Sequence, residues 1–294
     1  MHPAPSIILF TVLSGAGFGL LALLGLGLPA ATGWLAFAFH AIGAALAAGG
    51  LAISAFHLGN PQRALRAFTQ WRTSWLSREA VTATAALTLA ALHGAAATFL
   101  GVRPVVLGGA MAALCLATVL TTSMIYAQMR TVPRWRQPAT PALFLAWSVA
   151  GGALLAAQGP VALVALAVAG VLQLHAWRTG DRRFAKAGQS VGTATGLGGP
   201  GQVRQLAPPH TGRNYLLDEM VFRVGRRHAR RLRAIAFLLA VPAPAALVLG
   251  TGFAHLAYAA AVPVHLAGVL ASRWLFFAEA EHVVGLYYDA RQPA

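Results

Sequence analysis

Eight apolar runs, each close to twenty residues long and divided by short polar breaks, set the limits on what this chain can become. They fall at about 6–27, 34–56, 80–100, 105–127, 139–157, 160–178, 234–252 and 254–277. A helix needs roughly 20 apolar residues to cross the hydrocarbon of a bilayer, and it alone among open structures pairs its backbone groups internally there. Hydrophobic residues make up 57% of the 294, and only 10% are charged. A soluble domain carries about 25% charged residues, and one core could not hide the excess apolar surface. The pattern predicts an all-α, polytopic membrane helix bundle of about eight transmembrane helices, with residues 1–294 as a single integral membrane domain.

The breaks carry further information. The fifth and sixth runs are parted by Gln158, Gly159 and Pro160, and the seventh and eighth by Thr251, Gly252 and Phe253. Turns that tight predict antiparallel neighbours. Pro242 and Pro244 interrupt the seventh run and Pro263 the eighth, so kinks are expected where carbonyls lose their donors. The abundant Ala and Gly suit close helix contacts, which drive association in lipid. The Gly15–Gly19 stretch has the spacing of a dinucleotide loop but sits inside an apolar run with no strand before it, so it reads as helix packing. Met1–Phe10 has no basic stretch ahead of its apolar residues, so the first run is expected to stay in the membrane.

Charge then orients the bundle. There are 22 Lys and Arg against 7 Asp and Glu, a net +15. Eight crossings put both termini and the second–third, fourth–fifth and sixth–seventh loops on one face, and 20 of the 22 basic residues fall there. Arg103 is on the other face and Arg273 inside the last run. The positive-inside rule assigns the basic face, with both termini, to the cytoplasm of a bacterial inner membrane. Basic residues set between apolar spans point to membrane lipid and an acidic partner, and away from nucleic acid. The largest loop, 179–233, is irregular over Gly188–Gly201. From Asn214, a fitting N-cap, it is expected to form a basic amphipathic helix with Asp218 and Glu219 early and Arg227–Arg233 late. Such a helix suits the membrane surface or a docked partner. The single cysteine, Cys115, leaves no thiol set for a disulfide, an iron–sulfur cluster or covalent haem, and no metal site is expected in this chain.

The second–third loop holds the chemistry. His57 closes one apolar run, and Glu79, the only acid in the first 180 residues, opens the next. A histidine and a carboxylate at one membrane face can take up and release the protons of a quinol, and ionisable groups at that depth default to function. The plainer reading pairs Glu79 with Arg78 or Arg63 and leaves His57 interfacial. Arg63 adds a cation able to hold Glu79 or a reduced, anionic quinone.

At these residues the sequence resembles the dimethyl-sulfoxide reductase anchor-subunit family. The likeness lies in His57-Leu-Gly-Asn-Pro-Gln-Arg63-Ala, Ser77-Arg-Glu79, Tyr126 with Thr131-Val-Pro-Arg-Trp135, the start Met1–Ser6, and Asn214–Met220. The resemblance implies an eight-helix, haem-free subunit that holds a molybdopterin catalytic subunit and an iron–sulfur subunit to the membrane. Such subunits exchange electrons with quinone, menaquinone or ubiquinone, and catalyse nothing alone. A related branch serves cytoplasmic sulfite-oxidising complexes. Carried onto this chain, the quinone-site residues are His57, Glu79 and Tyr126, in one pocket on the basic face. The buried Arg of the family's last helix is Arg273, but the acid expected four positions earlier is Val269, and pairing with Glu279 or Glu281 is the simplest role for Arg273. Two other classes remain as alternatives. His40, His93, His255 and His265 lie within spans, and a facing pair would make a b-type haem cytochrome; the broken seventh and eighth runs would suit a secondary transporter.

Overall fold

The computed structural model describes residues 2–55, 61–199, 203, 206–207, 220 and 228–288, with the side chains of residues 55 and 61–64 left aside. The described elements are helical. They are α1 (Pro5–Gly25), α2 (Gly33–Ala55), a 3-10 segment (Pro61–Phe68), α3 (Trp75–Ala95), α4 (Val105–Ala127), α5 (Ala139–Leu155) and α6 (Gly159–Lys186). A short α7 (Val191–Thr195), α8 (Ala229–Ala240), α9 (Pro242–Gly250), α10 (His255–Ala278) and a second 3-10 segment (Val283–Tyr288) follow. Seven spans are long and apolar enough to cross a membrane, α8 and α9 counting together, and α5 is a shorter apolar helix. The all-helical polytopic bundle expected from the sequence is therefore present.

The small residues explain which helices meet. α1 is the hub, packed on α2, α4 and α5. A Cβ at Gly17 would run into the backbone of α2 at Gly43 and Ala47, and one at Gly19 into the carbonyl of Ser148 on α5. The glycines of the Gly15–Gly19 stretch thus serve close helix approach. α5 packs on α6 and α9 on α10, as the tight turns predicted.

The seventh span differs from a kinked single helix. It splits at Val241, whose backbone is non-helical (φ −122°, ψ −73°). Pro244 has no N–H for the carbonyl of Ala240, four residues before it. That carbonyl instead accepts a hydrogen bond from Nδ1 of His265 on α10, at 2.7 Å. His265 is 1% exposed and so replaces a missing backbone donor in the core. α10 itself continues through Pro263.

At the basic end the loops are tied together. Arg134, in the α4–α5 connection, and Arg233 on α8 both bind Asp181 on α6 and Glu279 at the C-terminus of α10, at 2.6–2.9 Å. Trp135 donates from Nε1 to the carbonyl of Phe276 at 2.8 Å, and the amide of Val283 donates to Thr131 at 2.9 Å.

Candidate functional site

α3 begins earlier than the apolar run suggests. Ser74 caps it by accepting from the amide of Ser77, which places Glu79 in the second turn instead of at the opening. The cap and the 3-10 segment before it turn Arg78 outwards. Arg78 donates to the carbonyls of Trp71 and Arg72 at 3.0 and 2.7 Å, and its guanidinium stacks on Trp75. Glu79 turns inwards and is 4% exposed. The expected alternative of an Arg78–Glu79 pair is thereby overturned.

The carboxyl of Glu79 lies against α4. Thr122 donates its hydroxyl to Oε1, and one turn away Thr82 on α3 bonds to Thr121 on α4 at 3.3 Å. Among the described residues Glu79 forms no ion pair, and Oε2 takes no hydrogen bond. A buried carboxyl with one oxygen held and one uncommitted is a chemically suitable proton donor and acceptor.

Tyr126 sits on the same face of α4, one turn beyond Thr122, and is buried. Its ring is enclosed by Trp135, Phe144, Phe276 and Phe277 at centroid distances of 5.4–5.8 Å. It lies within electrostatic range of both Glu79 and Arg273. Glu79 and Tyr126 are thus brought into one neighbourhood through Thr122. His57 lies outside the described residues. Arg63 is described only as backbone, within the 3-10 segment.

Two further features come from the packing of the helices. Two small cavities lie along α10, both bordered by Phe144 and Arg273. The first is lined by Ser14, Thr122, Ser148, His265 and Arg273, among others, and offers about 20 Å³ to water centres. The second, between Arg273 and the Arg134–Glu279 pair, offers about 30 Å³. One water needs about 10–15 Å³ measured this way, so these spaces suit a few waters and are far too small for a quinone ring. Larger grooves of about 450 and 660 Å³ lie between α2 and α3 and between α5 and α6. Neither touches Glu79.

The second is a histidine pair. Nδ1 of His40 lies 2.8 Å from the carbonyl of Ala36 in the preceding turn, and its Nε2 is 3.1 Å from Nδ1 of His93 across α2 and α3. Nitrogens at that distance leave no space for an iron between them. Arg273, 3% exposed, also departs from the expected pairing with Glu279, because Glu279 is held by Arg134 and Arg233. Its guanidinium lies 3.4 Å from the centroid of Phe144, and its Nε has no hydrogen-bond partner.

Comparison with known proteins places these residues in context. The model of the DMSO reductase anchor subunit family (DmsC) matches residues 1–169. A sulfite dehydrogenase subunit of Allochromatium vinosum is 34% identical over 329 aligned residues, covering 99% of each chain. No solved structure matches.

Proposed function

The chain belongs to the DMSO reductase anchor subunit family, and on that premise we propose that it anchors a molybdopterin–iron–sulfur oxidoreductase to the bacterial inner membrane and exchanges protons with quinone there. Membership itself makes the chain a membrane anchor for catalytic oxidoreductase subunits. The finer reading rests on Glu79, a buried carboxyl at the basic end of α3 with one oxygen held by Thr122 and the other uncommitted among the described residues.

Quinone, when bound, supplies a carrier of two electrons and two protons. In this reading Glu79 and His57 move the protons and Tyr126 donates a hydrogen bond from the α4 side. Arg63 adds positive charge. The Thr122 hydroxyl fixes the carboxyl's orientation, and the aromatic cage around Tyr126 keeps that ring from swinging away. Electrons come from an iron–sulfur subunit docked on the basic face.

The charge bias supports a cytoplasmic position for that face. A cytoplasmic catalytic side, together with the similarity to a sulfite dehydrogenase subunit, supports sulfite as the electron donor and quinone as the acceptor. Gentle purification of tagged protein from native membranes tests the anchor role. Molybdenum and iron co-purifying with two larger polypeptides are expected. A metal-free preparation without partners would turn the reading towards a transporter, and a haem spectrum arising from this subunit towards a cytochrome b.

A further inference from the structure

A guanidinium keeps its proton in proteins, and taking its charge out of water without a partner is costly. At the basic end of the bundle Arg134 and Arg233 share Asp181 and Glu279. Two cations meet two carboxylates there, and the cluster is neutral by itself. Arg273 on α10 takes no part in it. It is 3% exposed, and its Nε has no hydrogen-bond partner. Among the described residues its guanidinium has the rings of Phe144 and Phe276 beside it and no carboxylate. Glu79 borders neither of the two core cavities that Arg273 lines.

The second of those cavities has the chemistry of an anion site. Arg273, Ser272 and Gln173 line it, with Gln137 and the Arg134–Glu279 pair. Its side-chain carbonyl and carboxylate oxygens are engaged. Oε1 of Gln173 accepts from Ser272 at 2.7 Å and from Trp147 at 3.3 Å. Oε1 of Gln137 accepts from Thr179 at 2.6 Å, and each oxygen of Glu279 is held by an arginine at 2.8 Å. Donors remain. The two bonds at Oε1 fix the Gln173 amide, and its Nε2 has no partner among the described residues. The guanidinium of Arg273 adds more N–H groups. Water would satisfy these donors and leave the charge unmatched, whereas a small anion does both. The space offers about 30 Å³ to water centres, where one water needs about 10–15 Å³. That suits a monatomic ion and is too small for an oxyanion such as sulfate.

We propose that this cavity binds a chloride-sized monovalent anion between Arg273 and the amide of Gln173. With it, three cations at the basic end of the core face three anions. Glu279, on the same wall, does not oppose the ion, because Arg134 and Arg233 already neutralise it. The basic face beyond the Arg134–Glu279 pair raises the local concentration of anions. The bound ion ties α10 to α6, since Arg273 is on one helix and Gln173 on the other. The site is separate from Glu79 and does not rest on the quinone reading.

The single cysteine supplies the readout. Cys115 is buried, so a thiol-reactive dye reports its exposure as the purified full-length chain is heated. Halide-free protein in sodium gluconate is compared with protein in rising sodium chloride at constant ionic strength, which holds screening fixed. A ligand that binds only the folded chain raises its melting temperature. The melting temperature is expected to climb by several degrees and saturate with chloride. Bromide should replace chloride, and sulfate should not. Arg273→Gln should abolish the response. If Arg273→Gln fails to fold, Gln173→Glu serves instead. That variant keeps the oxygen that Ser272 and Trp147 bind and sets a carboxylate where the anion lies. Its halide-free melting temperature should match that of the chloride-saturated native protein, with no further gain from chloride. A native protein indifferent to chloride, or a full response in Arg273→Gln or in Gln173→Glu, would overturn the proposal.

Discussion

Thr122 donates its hydroxyl to the carboxyl of Glu79, so a side chain in the second turn of α3 is fixed by the last part of α4. Thr122→Val keeps the shape and removes the donor. A buried charged acceptor that loses such a bond costs about 1–3 kcal/mol. The variant is expected to melt earlier in detergent, and to lose more quinone-linked than dye-linked turnover in the complex. Equal loss of both would mean that Thr122 serves packing only.

His265 and Pro244 form a second dependency. His265→Leu orphans the carbonyl of Ala240 and should destabilise the protein by about 1–3 kcal/mol. Pro244→Ala returns the backbone N–H that a continuous helix would direct to that carbonyl. The double variant should therefore recover part of the loss, a coupling that a thermal double-mutant cycle measures. Simple additivity would show that the proline and the histidine are unrelated.

The two carboxylates of the basic-end cluster should differ. The Glu279 side chain is 5% exposed and that of Asp181 45%. Exposed pairs contribute about 0–1 kcal/mol, whereas removing one member of a buried pair costs about 3–5 kcal/mol. Glu279→Ala is thus expected to lower the melting temperature clearly, and Asp181→Ala hardly at all.

His282 should make the end of the chain sensitive to acid. Burial pushes its imidazole below the ordinary value of 6.5, and its Nδ1 accepts from the amide of Val284 at 3.0 Å, which requires the neutral ring. A base whose folded value is depressed contributes stability above the unfolded value, and loses it as pH falls from about 6.5 through the folded one. Proteolysis of the 283–288 segment should accelerate below pH 6 and not in His282→Gln.

Much of this is legible in the sequence. Apolar run length locates the spans, because a bilayer sets a length that the chain must meet. The prolines locate the break in the seventh span to within a residue or two. The inward turn of Glu79 is not legible, because it depends on where α3 begins. Ser74 caps the helix well before the apolar run at 80, and that shifts Glu79 onto the α4 side. The partner of Ala240 is half legible. Pro244 announces a free carbonyl four residues earlier, but only packing of α10 on α8 reveals that His265 answers it. Arg273 misleads for a similar reason. Glu279 is near in sequence, yet Arg134 and Arg233 arrive from distant loops and occupy both of its oxygens.

Proton exchange at Glu79 is tested most directly by Glu79→Gln in the intact complex, with turnover measured both to quinone and to a soluble dye that takes electrons from the catalytic subunits. The amide keeps the size and the hydrogen bond to Thr122 but cannot exchange a proton. Quinone-linked turnover is expected to fall by about 100-fold or more, the scale of a lost acid–base group, with dye-linked turnover and subunit assembly unchanged. Quinone-linked turnover equal to that of the native complex would contradict the assignment of proton exchange to Glu79.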